Sequence, residues 1–320
     1  MRSWQKVAVL CPGATVSGGP EALHQLAGAL RARGADASLV YYPQRPEGYA
    51  VPVPYRHYRV ALGQELPDDP STLLVIPEVI TSMAWRFPRA QKSIWWLSVD
   101  NYFKWQHRNS GPSILEPRPD ILHLCQSVYA LRFLAAHGAG PAVMLTDYIT
   151  EGAFGQGQPA IRTPGIAYNP KKGLDTTRRL MERDGGRHCW IPLHGLEKPE
   201  MAALLRSVRV YVDFGEHPGR DRMPREAALC GAVVVTGRRG AAALQEDLPL
   251  ADRFRLDETD PDFEARAMAL LEGLLRSDVE CQAAMAEQES YRRWIAGNKD
   301  AFLAEVDALL TIGRGMPEAA

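Results

Sequence analysis

Cysteine is scarce in this chain. Five thiols, Cys11, Cys125, Cys189, Cys230 and Cys281, are spread over 320 residues with no CxxC pair. An odd, widely spaced set excludes a disulfide framework and a zinc ribbon, and predicts reduced thiols in a cytoplasmic protein. No apolar run approaches the ~20 residues needed to cross a bilayer. The opening Met1-Arg-Ser-Trp-Gln-Lys leads into a strand with no signal-peptide core. Peripheral contact with the inner face of a membrane stays open, since docking needs no span. Charge of one sign is also missing. A formal net charge of -1 provides no basic surplus for a phosphate backbone, so nucleic acid is not expected as a partner. There is no GxGxxG after a strand, no Walker A loop and no Gly-x-Ser-x-Gly elbow, which argues against dinucleotide, ATP and serine-hydrolase chemistry. No His/Cys/carboxylate cluster has convincing ligand spacing, and Asp257-Glu-Thr-Asp260 reads as a helix-capping loop. No metal and no resident cofactor are expected.

What is present fits a soluble α/β protein of two domains. Hydrophobic content of 46% and charged content of 23% are ordinary for a globular chain, and the length suits two cores. Short apolar strands are predicted at Val7–Leu10, Ala37–Tyr42, Leu73–Pro77, Lys92–Val99, Ile121–Gln126 and Ala142–Leu145. The helix pattern Leu23, Leu26, Leu30 between the first two makes a βαβ unit. Tyr42–Tyr58 holds several prolines and aromatics without periodicity and reads as a long binding loop or lid. Glu151–Arg162, rich in Gly, Gln and Pro, reads as a linker. Further strands follow from Gly165, over Cys189–Leu193 and Val208–Phe214, with a helix over Lys198–Ser207. The mostly helical Asp278–Leu310 is expected to break near Gly297. The boundaries are placed at 1–155, 156–290 and 291–320.

The most informative run is Tyr211-Val-Asp-Phe-Gly-Glu-His-Pro-Gly-Arg-Asp-Arg-Met-Pro-Arg-Glu-Ala-Ala-Leu-Cys-Gly-Ala-Val-Val-Val235. It reads as strand, polar loop, helix and buried parallel strand, with Pro224 at the first helical position, Glu226 in the first turn and Gly231 ending the helix. The loop therefore lies at the carboxyl end of a strand, where open α/β sheets bind ligands. Arg220, Arg222 and Arg225 gather beside a helix N-terminus, a ready anion site. An anionic small molecule, most simply a nucleotide diphosphate, is the expected ligand. In the first domain, Gly18 and Gly19 let backbone N–H groups approach a phosphate or simply soften a βα loop. Asp100 stands at a strand end among Trp95, Trp96, Tyr102 and Trp105, which suit either a sugar platform or core packing. His217, before a proline, either hydrogen-bonds a ligand or caps a turn.

The same run resembles the donor-site segment of GT-B glycosyltransferases, especially the retaining family 4 type. Glu226-Ala-Ala-Leu-Cys-Gly-Ala-Val-Val matches the second half of the family motif; the first half departs, with Pro218 where the family has its first Glu. Gly18-Gly19-Pro20-Glu21 is similar to the family opening. The resemblance implies two Rossmann-like doubly wound domains facing across a cleft, and a C-terminal helix crossing back toward the first. It implies that Glu226 holds the donor ribose, and that Lys171 and Lys172, with Arg220 and Arg222, hold the diphosphate opposite Gly18 and Gly19. Asp100 and His217 remain for the acceptor and the sugar. The implied activity is sugar transfer from a nucleotide-activated donor to a glycan, lipid-linked or other hydroxyl acceptor, retaining and without a metal. Two other classes share the architecture: a nucleotide-sugar epimerase, and a non-catalytic homologue acting as a partner subunit.

Overall fold

The structure is a computed structural model and describes residues 3–105, 111–150, 152–155 and 162–314. The chain divides into two compact units. One comprises the chain through Tyr148 together with the segment from Lys299 on; the other is Ile149–Asn298. Most of the linker predicted over Glu151–Arg162 lies outside the described residues.

The first unit is built on a six-stranded sheet of β1 (Lys6–Pro12), β2 (Asp36–Tyr42), β3 (Thr72–Pro77), β4 (Gln91–Trp96), β5 (Ile121–Cys125) and β6 (Ala142–Met144), in the order β2-β1-β3-β4-β5-β6. Every pairing is parallel. Because both faces are covered, the strands are continuous apolar runs rather than alternating ones. Val7 and Val9 of β1 enter one core with Leu23, Leu26 and Leu30 of α1 (Gly18–Ala32), whereas Ala8 and Leu10 enter a second core with Trp96 and Ile121. α2 (Val99–Lys104) and α3 (Val128–Ala136) are opened by Ser98 and Ser127, whose hydroxyls accept from Asn101 N and Ala130 N. Val99 therefore belongs to a helix, and the strand predicted to reach it stops at Trp96.

The second unit carries a short helix α4 (Gly152–Gly155) and a five-stranded parallel sheet of β7 (Thr163–Tyr168), β8 (Cys189–Pro192), β9 (Val208–Asp213), β10 (Val233–Gly237) and β11 (Arg255–Leu256), in the order β11-β10-β9-β7-β8. Around it lie α5 (Leu174–Asp184), α6 (Lys198–Ser207), α7 (Arg222–Leu229), α8 (Phe263–Arg276), α9 (Asp278–Glu287) and α10 (Glu289–Arg314). Pro224 is the third residue of α7 rather than the first, and Glu226 consequently sits in its second turn. The proline is tolerated there because the first four N–H groups of a helix have no intrahelical acceptor. The C-terminal helical stretch breaks at Gln288, not at Gly297, which lies inside α10. Gln288 has a structural reason to interrupt: its buried side-chain amide accepts from Val234 N at 2.9 Å and donates to Val234 O at 2.8 Å. It completes the β10 ladder at Val234, before the two-residue β11 begins opposite Thr236. Tyr291 and Ile295 of α10 pack in the second unit, and Phe302, Val306 and Leu309 in the first. Among the described residues, no helix is long and apolar enough to cross a membrane.

Candidate functional site

A doubly wound sheet has one place where neighbouring strands send their connections to opposite faces, and the gap between the diverging loops is the natural ligand crevice. In the second unit that place lies between β7 and β9. The loop after β7 holds Asn169-Pro-Lys-Lys-Gly173, and the loop after β9 holds Phe214-Gly-Glu-His-Pro-Gly-Arg-Asp221. Both run into helices, so α5 and α7 direct their N-termini at the carboxyl edge of the sheet. Such termini present unsatisfied N–H groups and positive partial charge.

The loops are pressed together closely enough that glycine is required. Gly173, the N-cap of α5, has φ +57, and a Cβ there would stand 2.5 Å from Gly215 N and 2.6 Å from Phe214 O. A Cβ on Gly215 would stand 2.5 Å from Lys172 Cβ. Side chains then tie the loops. Lys172 Nζ lies 2.5 Å from Asp221 Oδ2. His217 Nδ1 reaches the same oxygen at 3.1 Å, and its Nε2 is 3.4 Å from the carbonyl of Asp213. Asp213, at the end of β9, accepts from Tyr211 Oη at 2.9 Å and Gly215 N at 3.2 Å. Burial pulls the His217 pKa down, but Asp213 and then Asp221 outweigh it and the net direction is up. For Asp221, burial pushes up, while His217 and Lys172 hold the carboxyl below its ordinary range.

Asp213, His217 and Asp221 place one donor atom each within 4.8 Å of one another, a cluster that sequence spacing did not suggest. The pattern is i, i+4, i+8 through a loop, where no regular periodicity brings side chains together. Its charges are already balanced: Lys172 occupies the Asp221 oxygen, and the imidazole has acceptors on both nitrogens. The donor set therefore fits an internal ion cluster better than a divalent cation.

The three arginines of the loop are each engaged by neighbouring groups. Arg220 Nε donates to Asp247 at 3.0 Å, and its guanidinium lies over the Trp294 ring at 5.1 Å. Arg225 is buried, donating to the carbonyls of Arg220 at 2.7 Å and Asp221 at 3.2 Å. Arg222 Nε lies 3.3 Å from Glu226 Oε1 in an i, i+4 pair. They fasten the loop and the helix, leaving the lysines as the cations of the rim. Lys171 is exposed, its backbone N–H bonded to Asn169 Oδ1 at 3.0 Å, and the Lys172 side chain is 31% exposed, enough to reach a ligand. Glu226 is nearly buried beside Arg222.

Next to this cluster, the loop after β11 contributes Glu258, which sequence reading passed over as capping. A Cβ on Gly237 would meet its carboxylate at 2.8 Å. Arg239 Nε stands 2.9 Å from Glu258 Oε2 and its Nη1 2.9 Å from Glu216 Oε1. Neither Glu258 oxygen has an aligned hydrogen-bond donor among the described residues. Burial pushes its carboxyl up to about 7 against the pull of Arg239.

The remaining expected residues belong to the first unit. Gly18 and Gly19 form the first turn of α1, at the carboxyl end of β1 beside that sheet's own divergence of β1 and β3. Tyr55 Oη braces this terminus, accepting from Ser17 N and donating to Ser17 O, both at 2.8 Å. Asp100 lies half-buried in the first turn of α2. Its aromatic neighbours resolve toward packing. Trp95 and Trp96 are fully buried, donating to Leu145 O and His123 Nδ1, and Tyr102 is buried against Trp96.

The fold is that of GT-B glycosyltransferases. Similar solved structures include a sucrose-phosphate synthase from Thermosynechococcus elongatus, 12% identical with a TM-score of 0.68 over 95% of this chain and 98% of that one. WaaG, a glycosyltransferase involved in lipopolysaccharide biosynthesis, is 12% identical with a TM-score of 0.62, covering 97% and 100%. HepE of Anabaena, in complex with UDP and glucose, is 11% identical with a TM-score of 0.61, covering 96% and 100%. No family model and no curated protein matches the chain.

Proposed function

We propose that this GT-B-fold chain is a glycosyltransferase that takes a sugar from a nucleoside diphosphate donor and passes it to a hydroxyl acceptor, a glycan or a lipid-linked sugar. The observation that carries the reading is the second-unit crevice itself. Two helix N-termini and two accessible lysines converge where β7 and β9 diverge, on a backbone cradle that only Gly173 and Gly215 permit. A leaving diphosphate gains charge as the glycosidic bond breaks, and preorganised N–H groups and ammoniums stabilise that charge. In this reading Lys171 and Lys172 hold the diphosphate and Glu226, paired with Arg222, accepts from the ribose hydroxyls. The crevice supplies its own cations, so the leaving group needs no metal. Gly18, Gly19 and Asp100 are proposed to serve the donor phosphate and the acceptor from the first unit. Retention of configuration is part of the proposal on the resemblance of the Glu226 segment to family 4 enzymes. HepE, similar in fold, has been crystallised with UDP and glucose.

The test is titration calorimetry of UDP, GDP, CDP, ADP and TDP against the wild type, Lys171→Ala and Glu226→Ala. The sugar derivatives of the nucleotide that binds are then assayed with hydroxyl acceptors, and the anomeric configuration of the product is read by NMR. One nucleotide binding in the micromolar range, weakened by both substitutions, is expected. Failure of all five to bind would remove the donor reading and favour a partner-subunit role. Product formed from the donor with no acceptor present would indicate an epimerase.

A further inference from the structure

Among the described residues, the His217 ring meets only acceptors. Its Nδ1 faces Asp221 Oδ2 at 3.1 Å, and its Nε2 faces the Asp213 carbonyl at 3.4 Å and Asp213 Oδ1 at 3.8 Å. A neutral imidazole has one N–H and one lone pair, so either tautomer would aim its lone pair at an oxygen. Only the imidazolium donates in both directions. The direction of its pKa, raised despite burial, agrees with this geometry.

The second fact is the oxygen it shares. Asp221 Oδ2 receives both His217 Nδ1 and Lys172 Nζ, so the two cations compete for one acceptor. With the imidazolium in place, Asp213, Asp221, His217 and Lys172 sum to zero charge. Loss of the proton would leave one buried negative charge at the N-terminus of α7, against any incoming anion, and a stronger claim by Asp221 on Lys172. The charged groups facing His217 come from every surrounding element: Asp213 from the end of β9, Asp221 from the N-cap of α7, Lys172 from the loop before α5 and Glu258 from the loop after β11. The remaining side is backbone, where Ala241 N donates to His217 O at 2.7 Å.

We infer that His217 is a positioning residue of the anion site: as an imidazolium it neutralises Asp221 and, through the shared oxygen, sets the Lys172 ammonium for a diphosphate, so that anion affinity depends on the His217 proton. The inference rests on the diphosphate reading above and deepens it. The 3% exposure of the His217 side chain assigns it to the inside of the loop rather than to direct contact with a sugar.

Two measurements test it. The first needs no ligand: imidazole carbon and nitrogen NMR shifts of the whole protein from pH 6 to 9.5, with His217→Gln to assign the signal. His217 is expected to stay doubly protonated past the pH at which exposed histidines titrate; a neutral ring at pH 7 overturns the inference. The second is calorimetry of inorganic pyrophosphate and of the nucleotide panel over the same range. Wild-type affinity is expected to fall about tenfold per pH unit once His217 titrates, the slope of a single linked proton. His217→Ala should bind at least several-fold more weakly at pH 7 and lack the tenfold-per-unit phase. His217→Gln, which still donates to Asp221, should recover part of the affinity and likewise lack the His217-linked phase. Parallel pH profiles in wild type and His217→Gln overturn the inference while leaving the donor site intact. If the wild type binds no diphosphate at any pH, the donor reading falls and the anion role of His217 with it, while NMR still reports the charge of the ring.

Discussion

Substituting alanine for glycine at the two ends of α5 separates packing from backbone strain. Gly173 and Gly185 are the N-cap and C-cap of that helix, with φ +57 and +63. Both lie in the left-handed region, where an alanine costs about 1–2 kcal/mol. Beyond Gly185 a Cβ meets nothing within 4 Å, whereas at Gly173 it meets the backbone of Phe214 and Gly215. Backbone cannot rotate away as a side chain can, so relief requires the β7 and β9 loops to part, at a typical overpacking cost of ~1–3 kcal/mol. Gly185→Ala should therefore lose about 1–2 kcal/mol and Gly173→Ala roughly 2–5 kcal/mol. At about 2–4 °C per kcal/mol for a unit of this size, the Gly173 variant should melt on the order of 10 °C lower. The same displacement moves Lys172 from Asp221, so pyrophosphate affinity should fall for Gly173→Ala and hold for Gly185→Ala. Thermal melts and calorimetry on the three proteins measure both effects. Equal losses at the two positions would refute the claim that the loops are pinned by backbone contact.

Three other outcomes follow from the structure. Glu78 is wholly buried at the end of β3, with Leu97 N donating to its Oε2 at 3.2 Å; burial pushes its carboxyl from an ordinary 4.5 up to about 8. The folded state then keeps a proton that the unfolded chain has released, so stability falls as pH rises from 4.5 towards 8. Glu78→Gln should flatten that part of the urea midpoint against pH, and an unchanged slope would count against a proton on Glu78. Gln288→Ala leaves Val234 N and O without their side-chain partners in a buried strand, a loss of about 2–6 kcal/mol at ~1–3 per unsatisfied group, readable in urea denaturation; a loss under about 0.5 kcal/mol would mean water replaces the amide. Lys171→Ala, at an exposed position, should leave stability within about 0.5 kcal/mol while weakening nucleotide diphosphate binding and reducing its salt dependence.

Much of the fold was legible in the chain because parallel strands covered on both faces are short apolar runs, and ten of those seen here stand out between polar loops. β11 also falls within a strand-like run, Arg253–Leu256, but is only two residues long and continuous with a 3-10 turn at Asp252–Phe254. Local chemistry also indicated which loop would face a ligand, since Gly231 and the Ala232–Val235 run place the helix and strand behind the Arg220–Glu226 segment. The helix break was misplaced because Gly297 carries the weaker helix propensity, while Gln288 interrupts for a partner in β10, 54 residues away. No local propensity encodes that contact.

The sequence by itself determined the class of fold, the places of the strands and the presence of a basic, glycine-bearing loop, because each depends on neighbours within one or two turns of the chain. The tertiary structure alone decided what the charges do. Arg220, Arg222 and Arg225 read as one cationic patch, yet Asp247, Glu226 and the backbone absorb them, and the accessible charge passes to Lys171 and Lys172. Asp213, His217 and Asp221, unremarkable in order, become one buried cluster with Lys172, about 40–50 residues upstream. Whether a charged side chain binds a ligand or holds a loop depends on which opposite charge lies within a few ångströms, and only the folded chain sets that distance.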